Sequence, residues 1–180
     1  MRLYLVRHGE SEANVAGIIN DDPSRSVRLT PRGRAQAMEA VEGLRGVGFT
    51  HAYVSEFPRA RETAEILLAG LGLNLPLRLD ARLNERRSGL DGEPVEAFNG
   101  LVREDPVHIR PISGESFLEQ MDRVRDYLDD IARRFPEAVV LAVSHENPIL
   151  AASALVGRAP EEAARGAMAN CGWLVLDWRS

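Results

Sequence analysis

Two stretches of the chain are apolar without interruption, and both end abruptly at a histidine. Leu3, Tyr4, Leu5 and Val6 run into Arg7-His8-Gly9-Glu10, and Ala138 to Val143 run into Ser144-His145-Glu146. Short continuous runs of this kind predict strands buried on both faces of a sheet. Phe49 to Ser55, with its aromatic and β-branched residues, predicts a further strand. Leu75, Leu77 and Leu79 alternate as a strand does, and Trp173 to Trp178 predicts a last strand at or near an edge.

Helical patterns lie between these runs. Thr30 and Pro31 suit the N-cap and first residue of a helix, with Ala35, Met38, Val41 and Leu44 as its apolar stripe up to Gly46 and Gly48. A second helix is expected from Arg59 to Ala69, burying Ala60, Ala64, Leu67 and Leu68. Ser116 and Glu119 form a capping-box pair ahead of a seam made by Phe117, Met121, Val124, Leu128, Ile131 and Phe135. Asn147 and Pro148 read as the start of a last helix closed by Gly157. Residues 15–29 read as a surface loop, and Asn84 to Ser113 as loop-rich with one short helix. Strands alternating with helices predict a three-layer α/β/α sandwich around a mostly parallel central sheet, one domain spanning residues 1–180.

Charge and cysteine content narrow the function. The net charge of −5 argues against a nucleic-acid or anionic-membrane surface, so any phosphate chemistry needs a local basic pocket. A lone cysteine, Cys171, allows no intrachain disulfide and fits a reducing compartment. No apolar stretch reaches the ~20 residues a membrane span needs. The first apolar run is four residues long, too short for a secretion signal, and a cytoplasmic location is expected.

Strand ends at the carboxyl edge of an open α/β sheet are where ligands bind. If the three strands ending near His8, Ser55 and His145 share that edge, two imidazoles and the guanidiniums of Arg7 and Arg59 converge. Four such groups repel one another, and a doubly negative phosphoryl group at their centre would relieve this. A helix N-terminus after His145 would add a favourable dipole. His51 and His108 read as surface histidines, Glu10 and Glu115 as structural or solvated, and the four histidines have no metal-site spacing.

The residues bearing this pattern resemble the histidine phosphatase superfamily, also called the phosphoglycerate mutase-like family. Arg7-His8-Gly9-Glu10-Ser11 with Asn14 resembles its opening signature, and Leu29-Thr30, Gly33 and Gln36-Ala37 its first helix start. Ser55 with Arg59-Ala60 and Thr63-Ala64 is similar to its second-arginine motif. Leu83, Glu85, Gly89 and Gly92 resemble the segment holding the acid, Gly114-Glu115-Ser116 the helix start after it, and Val143-Ser144-His145 the second-histidine strand. The resemblance implies a phosphatase in which His8 attacks phosphorus to form a phosphohistidine. Arg7, Arg59 and His145 would hold the phosphoryl oxygens, and Glu85 would protonate the leaving oxygen and then activate water. Asn14 and Arg86 are the expected substrate-binding residues. No metal and no cofactor are implied, because cationic side chains take the part that Mg²⁺ plays elsewhere.

Two departures keep alternatives open. Glu146 stands where the family often has glycine; it is expected to turn away from the phosphate, and it competes with Glu85 as proton donor. Leu83-Asn84-Glu85-Arg86 resembles the cofactor-dependent phosphoglycerate mutases, yet only 21 residues separate Gly92 from Gly114, with Arg103, His108 and Arg110 as basic candidates. A phosphatase is therefore favoured over a mutase, and a non-catalytic phospho-ligand binding module is the third reading. The substrate is a phosphorylated small molecule or phosphoprotein of open identity. Arg25, Arg28, Arg86, Arg87, Arg103 and Arg110 either read an additional anionic group or are simply solvated. Oligomeric state is not legible.

Overall fold

The computed structural model describes residues 1–179. Five strands form one sheet: β1 (Arg2–Arg7), β2 (His51–Val54), β3 (Leu77–Leu79), β4 (Val139–Ser144) and β5 (Trp173–Asp177). Their spatial order is β3-β2-β4-β1-β5. All neighbours pair in parallel except β5, which lies antiparallel to β1 at the edge. The helices are α1 (Glu12–Ala16), α2 (Pro31–Leu44), α3 (Pro58–Gly70), α4 (Val95–Leu101), α5 (Phe117–Arg134), α6 (Glu146–Leu155) and α7 (Pro160–Ala164). None of the described helices is long and apolar enough to cross a membrane.

The two-residue period of the central strands explains the layers. Leu3, Leu5, Tyr53, Val140 and Ala142 join one buried cluster with α5, α6 and Ala163 of α7. Val6, Ala52, Val54, Leu141 and Val143 point the other way, into a cluster with α2 and α3. Both faces of the sheet are covered, which is why the middles of its inner strands are continuously apolar. The sandwich expected from the sequence is the observed architecture.

Capping also follows the sequence. Thr30 Oγ1 accepts from Gly33 N at the head of α2, and Ser116 and Glu119 bond reciprocally at the head of α5. Three expectations need correction. The buried side of α2 is Gly33, Ala37, Ala40, Val41 and Leu44, while Met38 is 67% exposed. A strict three-residue repeat drifts around a helix of 3.6 residues per turn, so the expected stripe crosses from the wet side to the dry one. Helix α6 begins at Glu146 with His145 itself as N-cap, ahead of the expected Asn147 and Pro148. Residues 15–29 are no mere surface loop: Asn20 is buried, and α1 precedes it, capped by Ser11.

The register sets up the site. Arg7 pairs with Ser144 and Val54 with Val143, so β1, β2 and β4 end side by side on one edge. The chain leaving β1 enters the α2 layer, whereas the chain leaving β4 enters the opposite, α6 layer. Diverging connections between adjacent parallel strands open a crevice at their carboxyl ends.

Candidate active site

His8 and His145 follow paired positions on adjacent strands, and their ring centroids lie 5.0 Å apart. Both rings are almost wholly buried. His8 Nδ1 lies 2.7 Å from the carbonyl oxygen of Gly9. A carbonyl only accepts, so Nδ1 carries the proton and Nε2 keeps its lone pair. That lone pair accepts from Arg59 Nε at 3.0 Å. His145 is held at both nitrogens: Nδ1 accepts from Arg59 Nη2 at 3.2 Å, and Nε2 donates to Ser55 Oγ at 2.8 Å.

Arg59 is thus the bridge between the two rings. It sits in the first turn of α3, directly after the turn that ends β2. Its guanidinium is 4% exposed, stacks on Phe57 at 4.4 Å, and bonds the side chain and backbone carbonyl of Asn20. Burial lowers its pKa to about 10. Burial first, and the Arg59 charge second, hold both histidines well below the ordinary imidazole value of 6.5. Both rings are therefore neutral at pH 7, as a nitrogen nucleophile requires.

The backbone carrying His8 is seated by close approach. A Cβ on Gly9 would fall 2.4 Å from the carbonyl oxygen of Gly33 in α2, and one on Gly33 would fall 2.0 Å from Glu10 O. The lack of a side chain at Gly9 lets the loop lie against α2. Thr63 Oγ1 accepts from Gly9 N at 3.1 Å, and Asn170 Nδ2 donates to His8 O at 3.0 Å.

A cavity of about 360 Å³ opens over the two rings, and Arg7, His8, Asn14, Arg59, Glu85, Arg86 and Glu146 all line it. His145 lies just beneath, against His8. Arg7 Nη1 donates to Glu146 Oε1 at 3.1 Å and to Met168 O. Arg7 Nε is buried without a partner among the described residues. Asn14 Oδ1 closes the capping box with Ser11, while its Nδ2 makes no bond among the described residues. Arg86 has a different environment. Its three guanidinium nitrogens face the carbonyl oxygens of Glu115, Pro106 and Ile109 at 3.2 to 3.4 Å, tying down the 106–115 segment.

The two carboxylates of the cavity differ in kind. Glu146 Oε1 accepts from Arg7 and from Met168 N at 2.8 Å. Glu85 is half-buried as a residue, but its carboxyl is sunk among protein atoms. Burial raises its pKa, the neighbouring Glu146 adds to this, and the Arg86 N–H, Arg59 and Arg7 oppose it.

Sequence reading missed the supports of this site. Asn20, which holds Arg59, lies in a stretch with no periodic signal. Glu115, expected to be structural or solvated, is buried and braces the segment that carries Glu85. It accepts from Arg87 N at 3.1 Å and pairs with Arg123 at 2.5 Å. Arg123 in turn donates to the carbonyls of Arg82 and Asn84 at 2.7 and 3.0 Å. The backbone is gripped on both sides of Glu85. The only signal for this was an arginine at a helix position facing a Gly-Glu-Ser turn. The other two histidines lie outside the cavity: His108 is exposed beside Asp105, and His51 packs on Phe135.

Residues 3–180 match the model of the histidine phosphatase superfamily (branch 1). Among curated proteins, the chain is 31% identical over 171 residues to the adenosylcobalamin/alpha-ribazole phosphatase of Escherichia coli, covering 89% of this chain and 82% of that one. It is 29% identical over 197 residues to the probable phosphoglycerate mutase GpmB of Erwinia tasmaniensis, covering 99% and 90%. Among solved structures, YhfR of Bacillus stearothermophilus superposes with a TM-score of 0.84 at 26% identity, over 97% of this chain and 89% of that one. A mycobacterial glucosyl-3-phosphoglycerate phosphatase in complex with VO3 superposes at 0.81 with 25% identity, over 99% of both chains. With its two strand-end histidines, its bridging arginine and a family match over nearly its whole length, the chain belongs to the histidine phosphatase superfamily.

Proposed function

We propose that the protein is a metal-independent phosphatase that hydrolyses phosphomonoesters of small molecules through a phosphohistidine on His8. The observation that carries this reading is the tautomer of His8: the Gly9 carbonyl holds the proton on Nδ1 and aims the Nε2 lone pair into the cavity. In the first half-reaction Nε2 attacks phosphorus, the P–O bond to the alcohol breaks, and Glu85 gives its proton to the departing oxygen. Arg59 exchanges its bonds to the two rings for bonds to phosphoryl oxygens. The unpartnered Arg7 Nε and the Asn14 amide are further donors within reach of the same cavity. In the second half-reaction the Glu85 carboxylate takes a proton from water, the oxygen attacks phosphorus, and the P–N bond breaks to release inorganic phosphate. Glu146 keeps Arg7 in place and is not the acid. Arg86 acts by holding the 106–115 segment over the cavity.

Hydrolysis is favoured over phosphoryl return to a second substrate because a mutase must grip a second charged group. Arg103, His108 and Arg110 do not line the cavity, and Arg110 pairs with Glu119 at 3.4 Å. The resemblance to a probable phosphoglycerate mutase sustains the second reading, which isomerisation of a phosphoglycerate primed by a bisphosphoglycerate would select. Binding of phosphoesters without phosphate release would select a non-catalytic module. Rapid acid-free quench with a ³²P-labelled phosphoester is the direct test: label must appear on the wild-type chain, be acid-labile, and be missing from His8→Ala. Glu85→Gln should slow phosphoenzyme formation from alkyl phosphates by roughly 10²- to 10⁴-fold and from aryl phosphates much less, because a phenolate leaves without help. Equal slowing of phosphoenzyme formation from both would remove Glu85 from the acid's role.

A further inference from the structure

Resting on that reading, we propose that the site selects phosphomonoesters of uncharged, ring-bearing alcohols and discriminates against substrates with a second anionic group. Beyond the histidines the lining is mixed, and within it Ile18, Val95, Phe98, Val102 and Leu150 form an apolar patch beside Asn20, Ser88, Asn99 and Asn147. The apolar residues come from three separate places: the segment after α1, the α4 segment and α6. Their convergence makes a slot on the leaving-group side of the phosphoryl position. At about 360 Å³ the whole cavity is near the small end of ligand pockets, enough for a phosphoryl group and one compact ring system.

The charges argue in the same direction. Only three cations line the cavity. Arg7 and Arg59 stand at the histidines. Arg86, the one arginine that could reach a distal anion, has its guanidinium against three backbone carbonyls and over the rings of Phe98 and Phe117 at 5.0 and 5.8 Å. The loop arginines are held outside: Arg25 by Asp91, Arg87 by Glu115 and Arg110 by Glu119. Glu85 and Glu146 add negative groups to the lining. A substrate carboxylate or second phosphate would thus lose its hydration without gaining a cation, a cost that an apolar ring does not incur. Of the two readings open from sequence, Arg25, Arg87 and Arg110 are solvated and ion-paired outside the cavity, while Arg86 is neither solvated nor free to meet a distal anion, being buried against backbone carbonyls.

Three alkyl phosphates of similar leaving-group strength test this: 2-phenylethyl phosphate, ethyl phosphate and 3-phosphoglycerate, compared by kcat/KM for phosphate release. The phenylethyl ester should exceed the other two by roughly 10- to 100-fold, the range an apolar pocket provides. Phe98→Ala should lower the phenylethyl-to-ethyl ratio about tenfold, chiefly through KM. Because that variant could disturb packing, Val95→Arg at the exposed rim of α4 supplies a second arm: it should raise 3-phosphoglycerate turnover relative to ethyl phosphate. Turnover of 3-phosphoglycerate equal to or above that of the phenylethyl ester, with phosphoenzyme still forming on His8, overturns the selectivity and leaves the phosphatase reading standing. If no ester yields phosphate or phosphoenzyme, the reading of the site and the selectivity built on it both fall.

Discussion

The ends of β1 and β4 are near copies in sequence and unlike in chemistry. Each is an apolar strand that delivers a histidine to the same edge, one residue beyond a paired position. What separates them is the partner on each ring's far side. A backbone carbonyl fixes the proton of His8 on Nδ1, and its Nε2 lone pair accepts from Arg59. His145 is the opposite tautomer: its Nδ1 accepts from Arg59, and its Nε2 donates to the Ser55 hydroxyl. Residue type and strand position therefore do not assign a role. The hydrogen bond on the remote nitrogen does.

That contrast can be broken experimentally. His8→Ala should reduce phosphate release by roughly 10⁴-fold or more and leave no phosphoenzyme. His145→Ala should cost about 10²- to 10³-fold, the usual loss for a group that stabilises transferring charge, while phosphoenzyme still forms slowly. Phosphoenzyme on His145 in the His8 variant would erase the distinction. Ser55→Ala, which removes only the remote partner of His145, should lower kcat by roughly tenfold or less (~1 kcal/mol, one hydrogen bond), and a loss as large as that of His145→Ala would assign Ser55 a direct role.

The smallest effect is in stability against pH. Both ring pKa values are depressed by folding, so below the ordinary imidazole value of 6.5 the unfolded chain binds protons that the folded chain does not. The melting temperature should fall from about pH 7 to about pH 5. Glu85, whose pKa is raised, works in the opposite sense, destabilising as pH rises through its folded value. His145→Asn should flatten the decline relative to wild type, as followed by thermal melts; an unchanged slope would show that His145 is not buried as a neutral ring.

What the sequence made legible is what depends on local pattern. Continuous apolar runs marked β1 and β4, and the Ser116–Glu119 pair marked the head of α5, because pleat and cap chemistry act over a few residues. The convergence of His8, Arg59 and His145 followed from topology alone once the strands were taken as parallel. Errors arose where tertiary contact decides. Met38 looked like core because its helix offers two apolar sides, and only packing selects one. The surroundings of Arg86, which lines the cavity, were beyond a local reading too, since nothing nearby announces that three carbonyls from residues 106 to 115 will meet it. Asn20 and the Glu115–Arg123 pair were invisible for the same reason: each acts on a residue far away in the chain.

Helix α4 contributes no buried residue of its own, yet Val95 and Phe98 from it face the cavity. Under the proposed selectivity, chemistry and recognition would be built from separable parts. The histidines lie buried just beyond the ends of β1 and β4, where almost any replacement is felt by the core, whereas Val95 and Phe98 hang on a segment whose replacement the core would scarcely notice. A lineage, or a directed-evolution library, can exchange residues 95–101 and acquire a new preference while the reaction centre stays inherited intact.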